Sequence, residues 1–370
     1  MSLTFPLGLA KDDYFCNRVT ETKQLIANIQ SHTHTVLISP RRYGKTSLAY
    51  RAISQCGLPF VKVDLYMTTD HNDIARTIIK GINGIIEQVT GVTEKILANI
   101  KGYLKTIKPT LAVGSDGIKL KLEASDTKHA PDNICEALLI LNAILEKKNQ
   151  KAALLIDEFQ EIESIAPDQG IEGAIRHVAQ ETSHFALIFS GSKRHLLKSM
   201  FNDRNKPLYR LCEEIALERI SADDYKPFIN TFAKATWHKI LPIDTLNELM
   251  ICTERHPYYL NALLRSVFAQ SHLPTANHVQ QLWLNLAEKK RNDLLAETST
   301  LTTTHRKLLL AIANGQNTAL TSKAFLSEMK LAGSSAARGL QDLLDEDFIE
   351  KLGDHYRLVD PLLKTVLVEK

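Results

Sequence analysis

Residues 35–50 read TVLISPRRYGKTSLAY: a short apolar run, a basic turn with one glycine, and the beginning of a segment with helical character. Within this stretch, residues 39–46 (SPRRYGKT) follow the phosphate-loop pattern G-x-x-x-x-G-K-[ST], except that Ser39 replaces the first glycine. Gly44 permits the tight bend that turns backbone N–H groups towards phosphate oxygens. The N-terminus of the next helix adds partial positive charge. We therefore predict a strand, a phosphate-binding loop and a helix, in that order.

The last two residues of this loop have side chains suited to the rest of a nucleotide. The ammonium group of Lys45 neutralises the β- and γ-phosphates, and the hydroxyl of Thr46 ligates Mg²⁺. The alternative is a basic turn that precedes a helix by chance, and the strand-before, helix-after context argues against it. The loop therefore predicts a nucleotide with Mg²⁺ as its ligand.

A second motif lies in residues 152–162, AALLIDEFQEI, where an apolar strand ends at two carboxylates. In a phosphate-loop enzyme the first, Asp157, holds Mg²⁺, often through water, and the second, Glu158, activates the attacking water. An apolar run that ends in acids is a weak signal alone, because many strands end in charge. Following a phosphate loop, it predicts a nucleotide-hydrolysing site.

Apolar runs and helical patterns alternate through the first part of the chain. Strands are expected at residues 35–39, 60–65, 152–156, 185–190 and 215–220, and helices at 20–31, 71–107 (two helices) and 132–147. This alternation predicts a parallel sheet that helices cover on both faces. Residues 110–124 alternate around a Ser-Asp-Gly turn and predict a β-hairpin, inserted before the helix that leads to Asp157.

The strand patterns stop after residue 221. Residues 221–292 predict a helical bundle. From residue 301 three helical patterns precede residues 348–359 (FIEKLGDHYRLV), two short strands around Gly353 and Asp354, an order typical of a winged helix-turn-helix. We predict three domains: residues 1–220 form the phosphate-loop domain, 221–295 a helical lid and 296–370 a winged helix.

Composition places few limits on function. The 370 residues allow two or three domains, and the net charge of +3, from 45 basic and 42 acidic residues, argues neither for nor against nucleic acid. The five cysteines are widely spaced and predict buried thiols in a reducing compartment, not disulfides or a zinc site. The sequence shows no signal-peptide pattern and no apolar run of the ~18 residues that a membrane helix needs. We therefore expect a cytoplasmic protein without a membrane partner.

Together with these motifs, further segments resemble the AAA+/STAND-type ATPases, in particular the prokaryotic and archaeal family with a P-loop domain, a helical lid and a C-terminal winged helix. The segments are FCNR at 15–18 with Glu21 and Leu25, SGS at 190–192, PLYR at 207–210 and HPYYL at 256–260. The resemblance implies an α/β fold of the P-loop NTPase (ASCE/AAA+-like) type. Its parallel sheet has the order 5-1-4-3-2, with one strand between the two motif-bearing strands, and a lid and a winged helix follow.

The resemblance also implies ATP as the nucleotide and assigns roles to individual residues. The catalytic set is Lys45, Glu158, Ser190 (a sensor that positions the lytic water) and Arg210 (an arginine finger). The nucleotide-binding set is Arg18, Pro40, Arg41, Arg42, Tyr43, Gly44, Lys45, Thr46, Ser47 and Pro257. The metal ligands are Thr46 and Asp157.

Two positions depart from the family's pattern. Glu254 and Arg255 stand where the lid motif usually has small residues. Val359 stands where related STAND proteins have a histidine in the winged domain. Because valine cannot contact a phosphate, we expect the corresponding ADP latch to be absent.

Several roles stay open. Arg204 is a second candidate for the arginine finger, and an ordinary surface salt bridge is the alternative for both arginines. Arg194 as a γ-phosphate contact, Arg265 as a lid sensor and Asp64 as a partner of Glu158 are further hypotheses. The hairpin at 110–124 is either a surface decoration or a contact element for a partner or an oligomer.

Two classes of function fit these features. The first is a nucleotide-driven switch or motor that acts on a protein partner or through self-association. The second is a DNA-associated ATPase of the replication-initiator, transposition-helper or defence type, binding DNA through the winged helix. The third helix of that domain, residues 334–347, shows one arginine, Arg338, against the acids Asp342 and Asp345 on its expected outer face. Such a face is poor for DNA, so a winged helix that docks on protein or inhibits its own chain fits at least as well as a DNA reader.

Overall fold

The structure, a computed structural model, describes residues 5–89, 100–103, 107–114, 117–125 and 129–368. The chain divides into two compact units. We call the first the sheet unit, made of residues 18–41 and 45–217, and the second the helical unit, made of residues 1–17, 42–44 and 218–370. The three-domain division stays a prediction. Among the described residues no helix is both long and apolar enough to cross a membrane.

The sheet unit alternates strands and helices from its first residues. Its helices are α1 (Val19–Gln30), α2 (Lys45–Cys56), α3 (His71–Gln88), α4 (Ala130–Lys148), α5 (Glu161–Ile165), α6 (Gly170–Glu181) and α7 (Arg194–Asn202). Its strands are β1 (Thr35–Ile38), β2 (Phe60–Asp64), β3 (Lys108–Gly114), β4 (Gly117–Glu123), β5 (Ala152–Asp157), β6 (Phe185–Gly191) and β7 (Glu213–Ala216).

Five of these strands form one parallel sheet in the order β2-β5-β6-β1-β7. With the hairpin strands β3 and β4 left out of the numbering, this is the predicted order 5-1-4-3-2, and β6 lies between β1 and β5 as expected. Because all five strands are parallel, their carboxyl ends meet at one edge, where the residues after β1, β5 and β6 come together.

Helices cover both faces of this sheet. The chain crosses from β1 to β2 in one direction along the sheet and returns from β2 to β5 in the other, so right-handed crossovers place α2 and α3 on opposite faces. Strand β5 shows the consequence, since its neighbouring residues Leu154 and Leu155 are both fully buried although they point to opposite faces. The fold prediction for this unit is therefore confirmed.

The element boundaries differ from the prediction in two places. The last strand was expected at residues 215–220 but spans Glu213–Ala216. It lies at the edge of the sheet and, among the described strands, pairs with β1 alone, from Thr35↔Glu213 to Ile38↔Ala216, so the four residues of β1 limit its length. The second helix expected within 71–107 lies largely outside the described residues. The predicted hairpin is confirmed as β3 and β4, with Lys108 opposite Glu123 and Gly114 opposite Gly117.

The helical unit begins with a bundle and ends with the winged-helix pattern. Its helices are α8 (Ala222–Trp237), α9 (Ile243–Thr253), α10 (Pro257–Phe268), α11 (Ala276–Glu297), α12 (Thr303–Ala313), α13 (Lys323–Met329), α14 (Gly333–Asp345) and α15 (Pro361–Val368). Strands β8 (Ile349–Leu352) and β9 (His355–Leu358) form an antiparallel pair. Helix α14 matches the helix predicted at 334–347, while α15 was not predicted.

One core runs through the helical unit and includes a residue from the start of the chain. Phe5 is fully buried and packs against the rings of Phe232 and Phe268, with centroids 5.0 and 5.1 Å away. The same core contains Leu343 of α14 and Leu363 of α15. Helix α15 therefore contributes its apolar face to the core that the bundle and the winged-helix elements share.

Candidate nucleotide-binding site

The phosphate loop connects β1 to α2 at the carboxyl edge of the sheet. Gly44 has φ +91°, a backbone conformation that side chains rarely adopt, so the pattern's glycine is required by geometry. Arg42 also has a positive φ, of 64°. Ser39, which replaces the first glycine, is 2% exposed and donates its hydroxyl to the carbonyl oxygen of Pro40 at 3.1 Å.

Lys45 begins α2 and points back into its own loop. It is 8% exposed, and its Nζ donates to the carbonyl oxygens of Ser39 (2.8 Å) and Pro40 (3.0 Å). These acceptors are neutral, so a phosphate oxygen brought into the loop would replace them with a stronger, charge-assisted hydrogen bond. The lysine is therefore positioned for the predicted contact with phosphate.

Asp157 ends β5 and is 7% exposed. Its Oδ1 accepts a hydrogen bond from Ser190 Oγ at 2.6 Å, while its Oδ2 accepts from Thr46 Oγ1 at 3.3 Å and lies 2.7 Å from Lys62 Nζ. Burial alone would raise the pKa of this carboxyl group. The hydrogen bonds from Lys62 and Ser190 and the charges of Lys62 and Lys45 outweigh it and hold the pKa below its usual value, so the group is a carboxylate at neutral pH.

Glu158 follows with φ 52°, a left-handed conformation that turns the chain at the end of β5. Its Oε2 accepts hydrogen bonds from Gln160 Nε2 (2.6 Å), Ser192 Oγ (2.7 Å) and, more weakly, the backbone N–H of Ser192 (3.3 Å). A Cβ on Gly191 would lie 1.8 Å from Gln160 Oε1, so the glycine makes room for this arrangement. The second carboxylate is therefore held beside the first by its own set of donors.

These side chains fit a Mg²⁺-nucleotide. A hydroxyl and a carboxylate, Thr46 and Asp157, offer the hard oxygen ligands that Mg²⁺ prefers, and they already lie within hydrogen-bond distance of each other. No group of three or more His, Cys, Asp or Glu residues that could hold a metal occurs in the described parts of the chain. A site with one hydroxyl and one carboxylate suits an ion that takes its other ligands from phosphates and water.

The other predicted residues lie in different surroundings. Arg18 is 8% exposed and pairs with Glu21 at 2.9 Å, Pro40 and Ser47 are buried, and Arg41 is exposed. Pro257 occupies the first turn of α10. The candidates left open are spread: Arg194 and Asp64 lie just after β6 and at the end of β2, while Arg204 and Arg265 are exposed.

Arg210 lies at the amino ends of the parallel strands, whereas Asp157 lies at their carboxyl ends. It precedes β7, at the amino end of a parallel strand, and its exposed guanidinium stacks on the ring of Tyr209 at 5.1 Å. A strand of four residues separates its amino end from its carboxyl end by roughly 13 Å. Arg210 therefore cannot join Asp157 within one sheet unit, and a finger role would require a second copy of the chain.

Residues 42–44 of the loop belong to the helical unit and meet partners there. The Arg42 guanidinium lies 4.5 Å from the ring centre of Tyr258. The buried Tyr43 ring packs edge-on against His256, with centroids 4.8 Å apart. The Tyr43 hydroxyl accepts a hydrogen bond from Arg219 Nε at 3.1 Å.

Arg219 is the centre of a network that the sequence did not indicate. Its side chain is 2% exposed. Besides Tyr43 it contacts Glu254, with Nη1 to Oε2 at 2.7 Å, and it donates to the carbonyl oxygens of Leu358 and Val359, both at 3.0 Å. Glu350 of β8 lies 3.4 Å away. We call this set the Arg219 network.

The network explains the departure in the lid motif. Glu254 and Arg255 both have positive φ, 46° and 62°, which is why small residues suit these positions. Here Glu254 is bound by Arg219 and also by Lys364 at 2.7 Å, so its carboxylate contributes to the packing of the helical unit. The side chain of Val359 cannot contact a phosphate, but its backbone carbonyl oxygen accepts a hydrogen bond from Arg219.

The sheet order, the phosphate loop and the strand-end carboxylates define the class: this chain has the fold of the P-loop ATPases, with helices and a winged-helix domain after the sheet. Residues 293–369 match the family model described as a probable winged helix domain. No curated protein matches the sequence.

Several solved structures are similar over almost the whole chain, among them the following two. The Walker-type ATPase PABY2304 of Pyrococcus abyssi superimposes with a TM-score of 0.71 at 17% identity, and the similarity covers 97% of both chains. The ORC2 protein of Aeropyrum pernix, in its ADPNP-ADP complexes, gives a TM-score of 0.56 at 13% identity, covering 96% of this chain and 95% of the other. At these identities the likeness shows the fold.

Proposed function

We propose that this chain is a Mg²⁺-dependent ATPase that acts as a molecular switch or motor of the AAA+/STAND type on a protein partner. One observation carries the proposal. Thr46 and Asp157 are 111 residues apart in the sequence, yet Oγ1 of the first lies 3.3 Å from Oδ2 of the second, and Glu158 is held beside them. This is the arrangement that a nucleotide-bound Mg²⁺ and a water-activating base require.

Each residue has a defined task in this proposal. Lys45 exchanges its loop carbonyls for the β- and γ-phosphates, and Thr46 and Asp157 hold the metal, which neutralises charge on the phosphates when bound. Glu158 accepts the proton of the attacking water. Its hydrogen bonds from Gln160 and Ser192 fix the direction of the carboxylate and leave its other oxygen, Oε1, for that water.

The sensor role is better supported at Ser192 than at Ser190. The Ser190 hydroxyl is fully buried and donates to Asp157, so its contact is with the proposed metal ligand. Ser192 donates to Glu158, so its contact is with the proposed base. We therefore propose that Ser190 orients Asp157 and that Ser192 orients Glu158.

Residues 42–44 of the phosphate loop belong to the helical unit, and this supports the proposed coupling between the bound nucleotide and the protein partner. These loop residues directly precede Lys45 and belong to the helical unit, where Tyr43 shares Arg219 with the lid residue Glu254 and with the carbonyl oxygens at the end of β9. A phosphate bound by the loop would act on this network through two peptide bonds. We propose that the nucleotide state changes the helical unit by this route.

The winged-helix domain favours a protein partner. On α14 the exposed Arg338 and Gln341 accompany the acids Asp342 and Asp345, and Asp342 is paired with His305 at 3.2 Å. A DNA-reading helix needs cations for phosphates. The alternative function, a DNA-associated ATPase, is supported only by the presence of the winged helix itself.

Nucleotide binding and hydrolysis test the first part of the proposal. The purified chain should bind ATP and ADP in equilibrium dialysis and release phosphate from ATP only when Mg²⁺ is present. A chain that binds neither nucleotide at millimolar concentration would contradict the proposal.

An electrophoretic mobility shift over a salt series, with and without ATP, separates the two partner classes. DNA binding by a winged helix should be strong at low salt and weaken steeply as salt rises. The absence of any shift at low salt would remove the DNA alternative. A steep, ATP-dependent shift would instead replace the protein-partner proposal.

A further inference from the structure

Lys62 of β2 holds the oxygen of Asp157 that the proposed metal needs. Its Nζ lies 2.7 Å from Asp157 Oδ2 and 3.1 Å from Asp64 Oδ2. The same Oδ2 of Asp157 accepts the hydrogen bond from Thr46. The ammonium group of Lys62 and the hydroxyl of Thr46 therefore meet at one carboxylate oxygen.

The register of the sheet explains why a cation is needed at this point. Strands β2 and β5 pair so that Asp64 lies directly opposite Asp157, at the end where both strands finish. Like charges in opposite positions on neighbouring strands repel each other. Lys62, two residues before Asp64, points to the same face of the sheet and bridges the two carboxylates.

The side chains of Lys62, Asp64 and Asp157 differ in exposed fraction, and this difference bears on whether a metal ion can replace Lys62 at Asp157. The side chain of Lys62 is 24% exposed and that of Asp64 is 50% exposed, whereas that of Asp157 is 9% exposed. The ammonium group can therefore move away from Asp157 and stay bound to Asp64 at the surface. A metal ion that arrives with the nucleotide would take over the charge that Lys62 neutralises on Asp157.

We propose that Lys62 is a positioning residue that occupies Asp157 Oδ2 in the metal-free protein, competes with Mg²⁺ for that oxygen, and is retained by Asp64 when the metal binds. The inference rests on the proposed function, because it takes Asp157 as the metal ligand. The ion pair with Lys62 lowers the metal affinity of the site. In return, the Asp157 carboxylate is not left as an unpaired buried charge between rounds of nucleotide binding.

The test measures metal affinity, with Mn²⁺ in place of Mg²⁺ and the electron paramagnetic resonance signal of free Mn²⁺ as the readout. Titrations are made on the full chain with and without ADP. For Lys62→Met, which keeps the length of the side chain and removes its charge, we expect about threefold to tenfold tighter Mn²⁺ binding. Lys62→Arg keeps the charge and should stay within about twofold of the unaltered chain.

Two further variants separate competition from an ordinary ion pair. Lys206→Met removes the pair between Lys206 and Glu163, whose side chains are 17% and 24% exposed, and should leave Mn²⁺ affinity unchanged. Asp64→Asn removes the second anchor of Lys62 and should weaken Mn²⁺ binding in the unaltered background more than in the Lys62→Met background. Equal effects in both backgrounds would mean that Asp64 acts by its own charge, and would overturn its role as the anchor.

The outcomes are distinguishable from those of the proposed function. Binding of ADP in the presence of EDTA tests the nucleotide site alone, and its absence would contradict the proposed function while the titrations without ADP still decide the role of Lys62. Unchanged or weaker Mn²⁺ binding by a folded Lys62→Met chain would overturn the competition, as would a lack of Mn²⁺ binding in every variant. If Lys62→Met does not fold, a Lys62→Gln variant takes its place with the same expected direction.

Discussion

The candidate nucleotide-binding site of the sheet unit and the Arg219 network of the helical unit are built from the same kinds of polar and charged groups. They differ in the hydrogen-bond and ion-pair partners of those groups. In the site, Lys45 is bound to neutral carbonyl oxygens, and one oxygen of Asp157 is shared between Thr46 and Lys62, whose side chain is 24% exposed. In the network, Arg219 is 2% exposed and its donors reach a hydroxyl, a carboxylate and the carbonyl oxygens of Glu254, Leu358 and Val359.

The difference teaches how a site can be told from a structural cluster. Partners that a phosphate or a cation can replace without leaving buried atoms unpaired are suited to ligand exchange. A buried guanidinium whose donors are all used can change partners only at a high cost in free energy, because each lost hydrogen bond leaves a buried acceptor unsatisfied. Changes in the first region should therefore alter turnover and metal binding, and changes in the second should alter stability.

The largest expected effect is on turnover at the strand end. Glu158→Gln keeps the size of the side chain and removes the base, so ATP hydrolysis should fall about 10²- to 10⁴-fold while ATP binding is retained. Lys45→Ala should abolish binding itself. Phosphate release and equilibrium dialysis on the same preparations distinguish the two. A Glu158→Gln chain with normal turnover would show that another residue is the base.

The next effect is on the stability of the helical unit. Arg219→Met should lower the free energy of unfolding by about 3 kcal/mol, because the Tyr43 hydroxyl and the carbonyl oxygens of Leu358 and Val359 lose a buried donor. Both tryptophans of the sequence, Trp237 and Trp283, lie in this unit, so urea unfolding followed by tryptophan fluorescence reports on it.

Lys364→Met provides the matched control for Arg219. Lys364 binds the same carboxylate, Glu254, at the same distance of 2.7 Å, but its side chain is 45% exposed. Its loss should cost less than about 1 kcal/mol. Equal losses for the two variants would show that burial does not set the contribution of these pairs.

A third effect concerns acid stability. His256 is 2% exposed and faces Tyr43, Tyr259 and the charges of Arg42, Arg219 and Arg357. Burial first, and then these positive charges, lower the pKa of His256 to about 3. The unfolded chain binds a proton near pH 6.5 and the folded chain does not, so the stability from His256 is lost as pH falls from about 6.5 towards 3.

The size of this effect follows from the shift. Between pH 6.5 and pH 5 the helical unit should lose roughly 1.5 kcal/mol through His256, measured by urea unfolding with tryptophan fluorescence. His256→Phe, which keeps the ring contacts and does not titrate, should remove this part of the pH dependence. The exposed His177 serves as the control, and His177→Gln should leave the dependence unchanged. A His256→Phe chain as acid-sensitive as the original would contradict the assignment.

The smallest expected effect separates Ser190, near the end of β6, from Ser192, just after it. Ser192→Ala removes the hydroxyl that holds Glu158, so turnover should fall about tenfold with little change in metal affinity. Ser190→Ala removes the hydroxyl that holds Asp157, so metal affinity should weaken instead. Steady-state hydrolysis over a Mg²⁺ series measures both, and the reverse pattern would return the sensor role to Ser190.

Much of the fold followed from local patterns. The sequence TVLISPRRYGKTSLAY predicted a strand, a loop and a helix, and the structure has β1 ending at Ile38 and α2 beginning at Lys45. The end of β7 was misplaced because apolar residues continue to Ile220, while pairing is limited by the neighbouring strand β1. Periodicity detects apolar runs, but the length of an edge strand is decided by its partner.

Individual side-chain partners were less predictable. The resemblance assigned the sensor role to Ser190, and only the turn after β6 brings the Ser192 hydroxyl to Glu158. Lys62 carried no signal, since a lysine between valines in a β-rich run is an ordinary surface pattern. Its meeting with Asp157 depends on the register of β2 against β5.

The sequence by itself determined the chemistry at the strand end: a glycine where the backbone needs a positive φ, a lysine and a hydroxyl at the start of a helix, and two carboxylates after an apolar strand. These features are local, so their spacing along the chain suffices to recognise them. Only the tertiary structure decided which polar groups pair with which, since Lys62 with Asp157 and Arg219 with Tyr43 are brought together by strand register and packing across 95 and 176 residues of sequence. Such pairings depend on distances in space, which no pattern along the chain encodes.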